Sequence, residues 1–122
     1  MAKFINLSNH ASKNWSREQV EEAEKMGTTI IDLPFPNVAP EATREEVKAM
    51  AENLIEEIEK LDASAVMCQG EMTLTFSIVS LLKEKNIPVY AACSKRETVE
   101  TTNESGETTK TALFRFVGFR EY

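Results

Sequence analysis

A chain of 122 residues with 14 Lys and Arg against 20 Asp and Glu carries a formal charge of −6. Such a surface repels duplex DNA, and no apolar run approaches the roughly 20 residues of a membrane span, so neither is an expected partner. The 42% hydrophobic and 28% charged residues suit one globular domain over residues 1–122 with a core of its own.

The alternation of apolar runs and caps predicts the elements in order. Lys3 to Leu7 reads as a strand, followed by a polar loop from Ser8 to Trp15. Ser16 caps a first helix, and Gln19 three residues on completes a capping box. Val20, Ala23 and Met26 give that helix one apolar stripe, and Gly27 ends it. Thr28 to Leu33 is a second strand. Pro34, Pro36 and Pro40 then stiffen the connection to a second helix, capped by Thr43 with Glu46. Val47, Met50, Leu54, Ile55, Ile58 and Leu61 recur at helical spacing along it.

Ala65 to Cys68 is a third strand, stopped by the tight polar turn Gln69-Gly70-Glu71. Met72 to Lys85 follows as a helix, apolar on most sides and expected to be well buried, with Asn86 after it. Pro88 to Cys93 is a fourth strand and Ser94-Lys95-Arg96 a loop beyond it. Glu97–Thr101 and Lys110–Val117 make two antiparallel strands around the turn Asn103-Glu104-Ser105-Gly106. This order is β-α-β-α-β-α-β and then a hairpin. It implies an α/β fold: a Rossmann-like three-layer sandwich, mainly parallel, with a C-terminal antiparallel β-hairpin.

In such a sheet the loops after the first, third and fourth strands leave the carboxyl edge, where ligands sit. The first loop holds Asn9, His10, Ser12, Lys13 and Trp15; the second holds Gln69, Gly70, Glu71 and Thr73; the third holds Ser94, Lys95 and Arg96. His10, the only histidine, suits a general acid or a phosphate-orienting donor, or simply a loop residue bonded to its neighbours. Lys13, Lys95 and Arg96 are the cations of this edge, suited to phosphate or to pairing with nearby glutamates. Glu71 and Gln69 are polar ligand candidates, although a carboxylate at a helix N-terminus is also simply stabilising. Thr73 and Thr75 either cap the helix or offer hydroxyls to a phosphate, and Ser12 and Ser94 carry the same ambiguity. Trp15, just before a cap, reads as a hydrophobic staple ahead of a base-stacking ring.

Several site classes are missing from the pattern. Asp32 ends the second strand, but no GxGxxG precedes it, so a dinucleotide site is not expected. GxxxxGKS and GxSxG are absent too. One His with two separated cysteines, Cys68 and Cys93, offers no metal-ligand spacing, and no cofactor is expected. The cysteines read as reduced thiols of a cytoplasmic protein, and the start, MAKFINLSN, lacks the pattern of a signal peptide.

The segment NLSNHASK, the QGEMTLT turn and SKR ahead of a β-hairpin resemble the small stand-alone CARF-like proteins and ring nucleases of type III CRISPR systems. The resemblance implies a six-stranded Rossmann-like core and a homodimer whose two sheet edges share one pocket. It implies a cyclic oligoadenylate as ligand, typically the tetra-adenylate. Cleavage then proceeds without metal, by attack of a ribose 2′-hydroxyl on the adjacent phosphate, and switches off the antiviral signal. Carried onto this chain, the resemblance gives Lys95 and Arg96 to phosphate and His10 to the leaving oxygen or to positioning. Asn9, Ser12, Lys13, Gln69, Gly70, Glu71, Thr73 and Ser94 would contact the ligand. A non-catalytic sensor that binds the same messenger is the alternative.

Overall fold

The computed structural model describes residues 2–122; Met1, included in the single-domain range, lies outside the described residues. Among them the order is β1 (Lys3–Ser8), α1 (Arg17–Glu24), β2 (Thr29–Pro34), α2 (Arg44–Lys60), β3 (Ala63–Cys68), α3 (Met72–Glu84), β4 (Val89–Thr102) and β5 (Thr108–Glu121). A short 3-10 turn, Ser12–Asn14, sits between β1 and α1. The strands form one sheet in the order β2-β1-β3-β4-β5. The β1–β2, β1–β3 and β3–β4 pairs are parallel and β4–β5 is antiparallel. The fold is α/β and Rossmann-like, as the alternation predicts.

Side chains of successive strand residues point to opposite faces, and this divides the core in two. Ile5, Leu7, Val66, Cys68 and Val89 face α2 and α3 and form the larger cluster with Leu54, Ile55, Ile58, Leu74, Ile78 and Leu82. Phe4, Ala65 and Met67 face the other way, toward α1, and pack with Trp15, Ala23, Tyr90, Ala92 and Phe119. Two long helices cover one face; one helix of eight residues covers the other. The carboxyl end of the second face is left open, which is what creates a cleft.

The caps follow the sequence in two of three cases. Thr43 accepts from Glu46 N–H at 3.1 Å while the Glu46 carboxylate accepts from Thr43 N–H at 3.1 Å, a complete capping box. Ser16 accepts from Gln19 N–H at 3.2 Å, but the Gln19 side chain turns inward, its Nε2 4.0 Å from Met67 Sδ. The expected box on α1 is therefore only half formed, because the amide of Gln19 is buried against the sheet. α1 also ends earlier than expected, at Glu24. Gly27 is required for a different reason: a Cβ there would lie 2.5 Å from the backbone nitrogen of Phe4. The chain leaving α1 presses directly on β1, and only glycine fits.

Three further expectations are corrected. The segment Ser94-Lys95-Arg96 is not a loop. β4 continues without interruption to Thr102, with a register shift at Cys93/Ser94, where Cys93 pairs Gly118 and Ser94 pairs Phe116. The extra residue, Val117, is accommodated as a bulge rather than as a break. The sheet consequently has five strands, not six, and beyond Tyr90 β4 pairs with β5 alone. Finally, α3 is not enclosed on all sides. Leu74, Ile78, Val79 and Leu82 are buried, but Met72 and Phe76 are 84% and 74% exposed on its outer face.

The hairpin turn forms as expected. Asn103 Oδ1 accepts from the N–H groups of Ser105 and Glu107, both at 2.9 Å, and Gly106 adopts a φ of 81°. No helix of the described residues is long and apolar enough to cross a membrane.

Candidate functional site

Strand order reverses at β1, which lies between β2 and β3. Open α/β sheets bind ligands at this position, outside the carboxyl ends of the strands. A cleft of about 730 Å³ occupies it, on the α1 face. Ser8, Asn9 and His10 from the end of β1 form one side, and Asn14, Trp15, Ser16 and Gln19 continue it. Met67 is the floor. Gln69, Ala92, Ser94, Phe114 and Phe116 form the opposite wall. No Asp or Glu lines the cleft, although the chain has 20 of them.

The β1 loop is held by a polar cluster that starts inside the sheet. Asn6 is 1% exposed, and its Nδ2 donates to Asp32 Oδ1 and to the His10 carbonyl, each at 2.9 Å. The Ser8 hydroxyl donates to Asn6 Oδ1 at 2.6 Å, and His10 N–H donates to Ser8 Oγ at 3.2 Å. Trp15 Nε1 donates to the same His10 carbonyl at 3.0 Å. The loop backbone is thus bound from three sides, while no described residue hydrogen-bonds the imidazole of His10, a residue that lines the cleft. Asp32 is an anchor here: Ser12 donates to its carboxylate through N–H at 3.2 Å and through Oγ at 3.1 Å.

An aromatic cluster backs the cleft. Phe4 packs edge-on to Trp15 with centroids 6.3 Å apart, and Phe119 lies 5.3 Å from Phe4 and 5.1 Å from Phe116. Trp15 shares a cluster with Val20, the staple position expected of it, and also lines the cleft.

Four of the expected site residues meet in this cleft: Asn9, His10, Gln69 and Ser94. Gln69 has a structural task as well. Its Oε1 accepts from Ala92 N–H at 2.9 Å, so the side chain continues the β3–β4 ladder after β3 has ended. The others lie elsewhere. Ser12 is turned to Asp32, and Lys13 is exposed on the 3-10 turn. Gly70 lines a separate cavity of about 390 Å³ with Met72, Thr75, Phe76 and Tyr122, and packs under Phe35, whose ring a Cβ would strike. Thr73 borders a groove of about 580 Å³ beside Arg44 and Lys48.

Glu71 is the N-cap of α3. It accepts from Leu74 N–H at 2.8 Å and from the Thr73 hydroxyl at 2.5 Å. The Thr73 hydroxyl first, and then the Leu74 N–H, hold its carboxyl below the usual carboxylate range. A depressed pKa adds stability that is complete above the unfolded value and lost as the pH falls through the folded one. Glu71→Gln should therefore lower the melting temperature at neutral pH. The gap to wild type should close as the pH drops below the ordinary value of 4.5. A gap that stays constant into strong acid would count against this role.

The two cations of β4 part company. Alternation puts Ala92, Ser94 and Arg96 on one face, opposite Phe119, Phe116 and Phe114. That is the cleft face, with Arg96 one step beyond the lining. Lys95 pairs with Arg115 on the other face, where Arg115 bridges Glu97 at 3.4 Å. Cys68 is fully buried, and burial pushes its thiol up to about 12 against the opposing pull of the Thr75 hydroxyl, so it is no nucleophile. Among the described residues no group of three His, Cys, Asp or Glu is placed to hold a metal ion.

The model of the uncharacterized protein MJ1673 family matches residues 2–120. The chain belongs to that family. No curated protein and no solved structure matches it.

Sequence reasoning passed over Asn6, Gln19, Phe114 and Phe116. Asn6 had a signal, a polar residue at an inward position of an apolar strand. Phe114 and Phe116 had one too, aromatics two apart and hence on one face of a strand. Gln19 was masked by its caplike spacing.

Proposed function

We propose that this member of the MJ1673 family is a cytoplasmic homodimer that binds a cyclic oligoadenylate in the cleft and cleaves it. One observation carries the reading. In a chain of charge −6, the cleft at the strand-order reversal contains no carboxylate, but does contain the only histidine, several amides and hydroxyls, and exposed aromatic surface. Those groups suit an anionic ligand with planar rings, and the sequence resemblance to ring nucleases names the ligand class. A two-fold pair of copies would double His10 and Arg96 around one ring.

The ligand supplies its own nucleophile. The ribose 2′-oxygen bonds to the adjacent phosphorus and gives up its proton to solvent. The bond from phosphorus to the 5′-oxygen breaks, and the leaving oxygen takes a proton from His10. A 2′,3′-cyclic phosphate remains. The protein's share is positioning and proton supply.

Incubation of micromolar protein with cyclic tetra-adenylate in EDTA should produce linear adenylates ending in 2′,3′-cyclic phosphate. Intact ring after hours would overturn cleavage. The second reading, a sensor that only binds the messenger, is favoured by the single titratable side chain in the lining. Calorimetric binding without turnover would establish it.

A further inference from the structure

Phe114 is a large apolar side chain with 72% of its surface exposed, on the part of the β4–β5 ribbon that pairs with no other strand among the described residues. It lines the cleft together with Phe116, which is itself backed by Phe119. Its cross-strand partner is Arg96, on the same face, for which no ion pair exists among the described residues. An exposed aromatic beside a free guanidinium, on the rim of a carboxylate-free cleft, has the makings of a stacking site.

We propose that Phe114, two residues from Phe116 on the same face of β5, is a base-stacking platform, with Arg96 opposite it as a phosphodiester contact. The inference rests on the nucleotide reading and sharpens it. From Ala92 to Arg96 the strand advances about 13 Å. That is longer than one nucleotide, so the cleft and the platform together are filled by an oligonucleotide with unpaired bases, not by a mononucleotide or a free phosphate. The two ends divide the work: His10 meets one nucleotide in the cleft, and the ribbon holds the base of the next.

Trp15, the only tryptophan, lines the same cleft and serves as a fluorescent reporter. Wild type, Phe114→Ala, Phe114→Tyr and Arg96→Ala are titrated with cyclic tetra-adenylate and with linear tetra-adenylate. Phe114→Ala should weaken binding by roughly 5- to 100-fold, the range of one lost base stack. Phe114→Tyr should bind within about threefold of wild type, since the ring is kept. Arg96→Ala should flatten the salt dependence. The melting temperature of Phe114→Ala should match wild type, as for a surface substitution. Equal binding by wild type and Phe114→Ala would overturn the platform alone, and so would an equal loss in both Phe114 variants. Wild-type protein that binds neither ligand would overturn the nucleotide reading and the platform with it.

Discussion

His10→Ala should leave cyclic tetra-adenylate bound within a few-fold of wild type and slow its cleavage by roughly 10²- to 10⁴-fold, the usual contribution of a positioned general acid. The separation of binding from turnover follows from how the loop is built. Its anchors are backbone groups: the His10 carbonyl takes hydrogen bonds from Asn6 Nδ2 at 2.9 Å and Trp15 Nε1 at 3.0 Å, and the His10 N–H reaches Ser8 Oγ. None of these involves the imidazole. Alanine therefore removes a proton donor and little else, and the loop keeps its place. Added imidazole should restore part of the lost rate. Cleavage at the wild-type rate would remove His10 from the reaction. Loss of binding would make it a ligand-holding residue instead.

Phe4→Ala is the substitution expected to cost the most stability. Phe4 is fully buried on the α1 face, packed on Trp15 and Phe119. Deleting such a ring costs about 3–5 kcal/mol, because the lost burial adds to a cavity that neighbours fill only partly. Against a total stability of about 5–15 kcal/mol, this is a large share. The melting temperature should fall by roughly 10–20 °C. The cleft should suffer with it, since Trp15 loses the ring behind it, and its fluorescence should shift as the indole gains water. A drop of only a few degrees would mean that α1 can close over the space. The contrast with Phe114→Ala is instructive: the same side chain is deleted, but one ring sits in the core and the other in solvent.

The parallel part of the fold was legible in the chain because local rules and packing agree there. α2 shows this best. Its apolar positions repeat at helical spacing, Thr43 and Glu46 cap it reciprocally, and of the residues so marked Val47, Leu54, Ile55 and Ile58 are buried while Met50 and Leu61 are half-buried. The turn Gln69-Gly70-Glu71 was legible for the same reason, an apolar run of strand length stopped by polar residues and followed by a helix. Ser94-Lys95-Arg96 was not. Three polar residues after a buried strand look like a loop, and only pairing with β5 keeps them extended. The exposed face of α3 was equally hidden, since an apolar helix implies cover and its sequence cannot say whether a neighbour supplies it.

The candidate site divides in the same way. His10, Asn9, Gln69 and Ser94 were placed at the carboxyl edge by chain order alone, and they share the cleft. Lys95 and Arg96 are neighbours in the sequence, yet adjacent strand residues face opposite ways, so only Arg96 lies on the cleft side. Glu71 reads either as a ligand or as a stabilising carboxylate at a helix N-terminus, and the geometry uses it as the cap of α3. Apart from Ser94-Lys95-Arg96, element type, strand direction and the edge that carries the polar loops were thus determined by the chain itself, through periodicity and capping that act over a few residues. Which side of the sheet stays open, which cation reaches the opening, and that Phe114 of β5 stands at its rim were decided only by tertiary structure. Those facts depend on register between strands distant in sequence and on two helices covering one face while a single short helix covers the other.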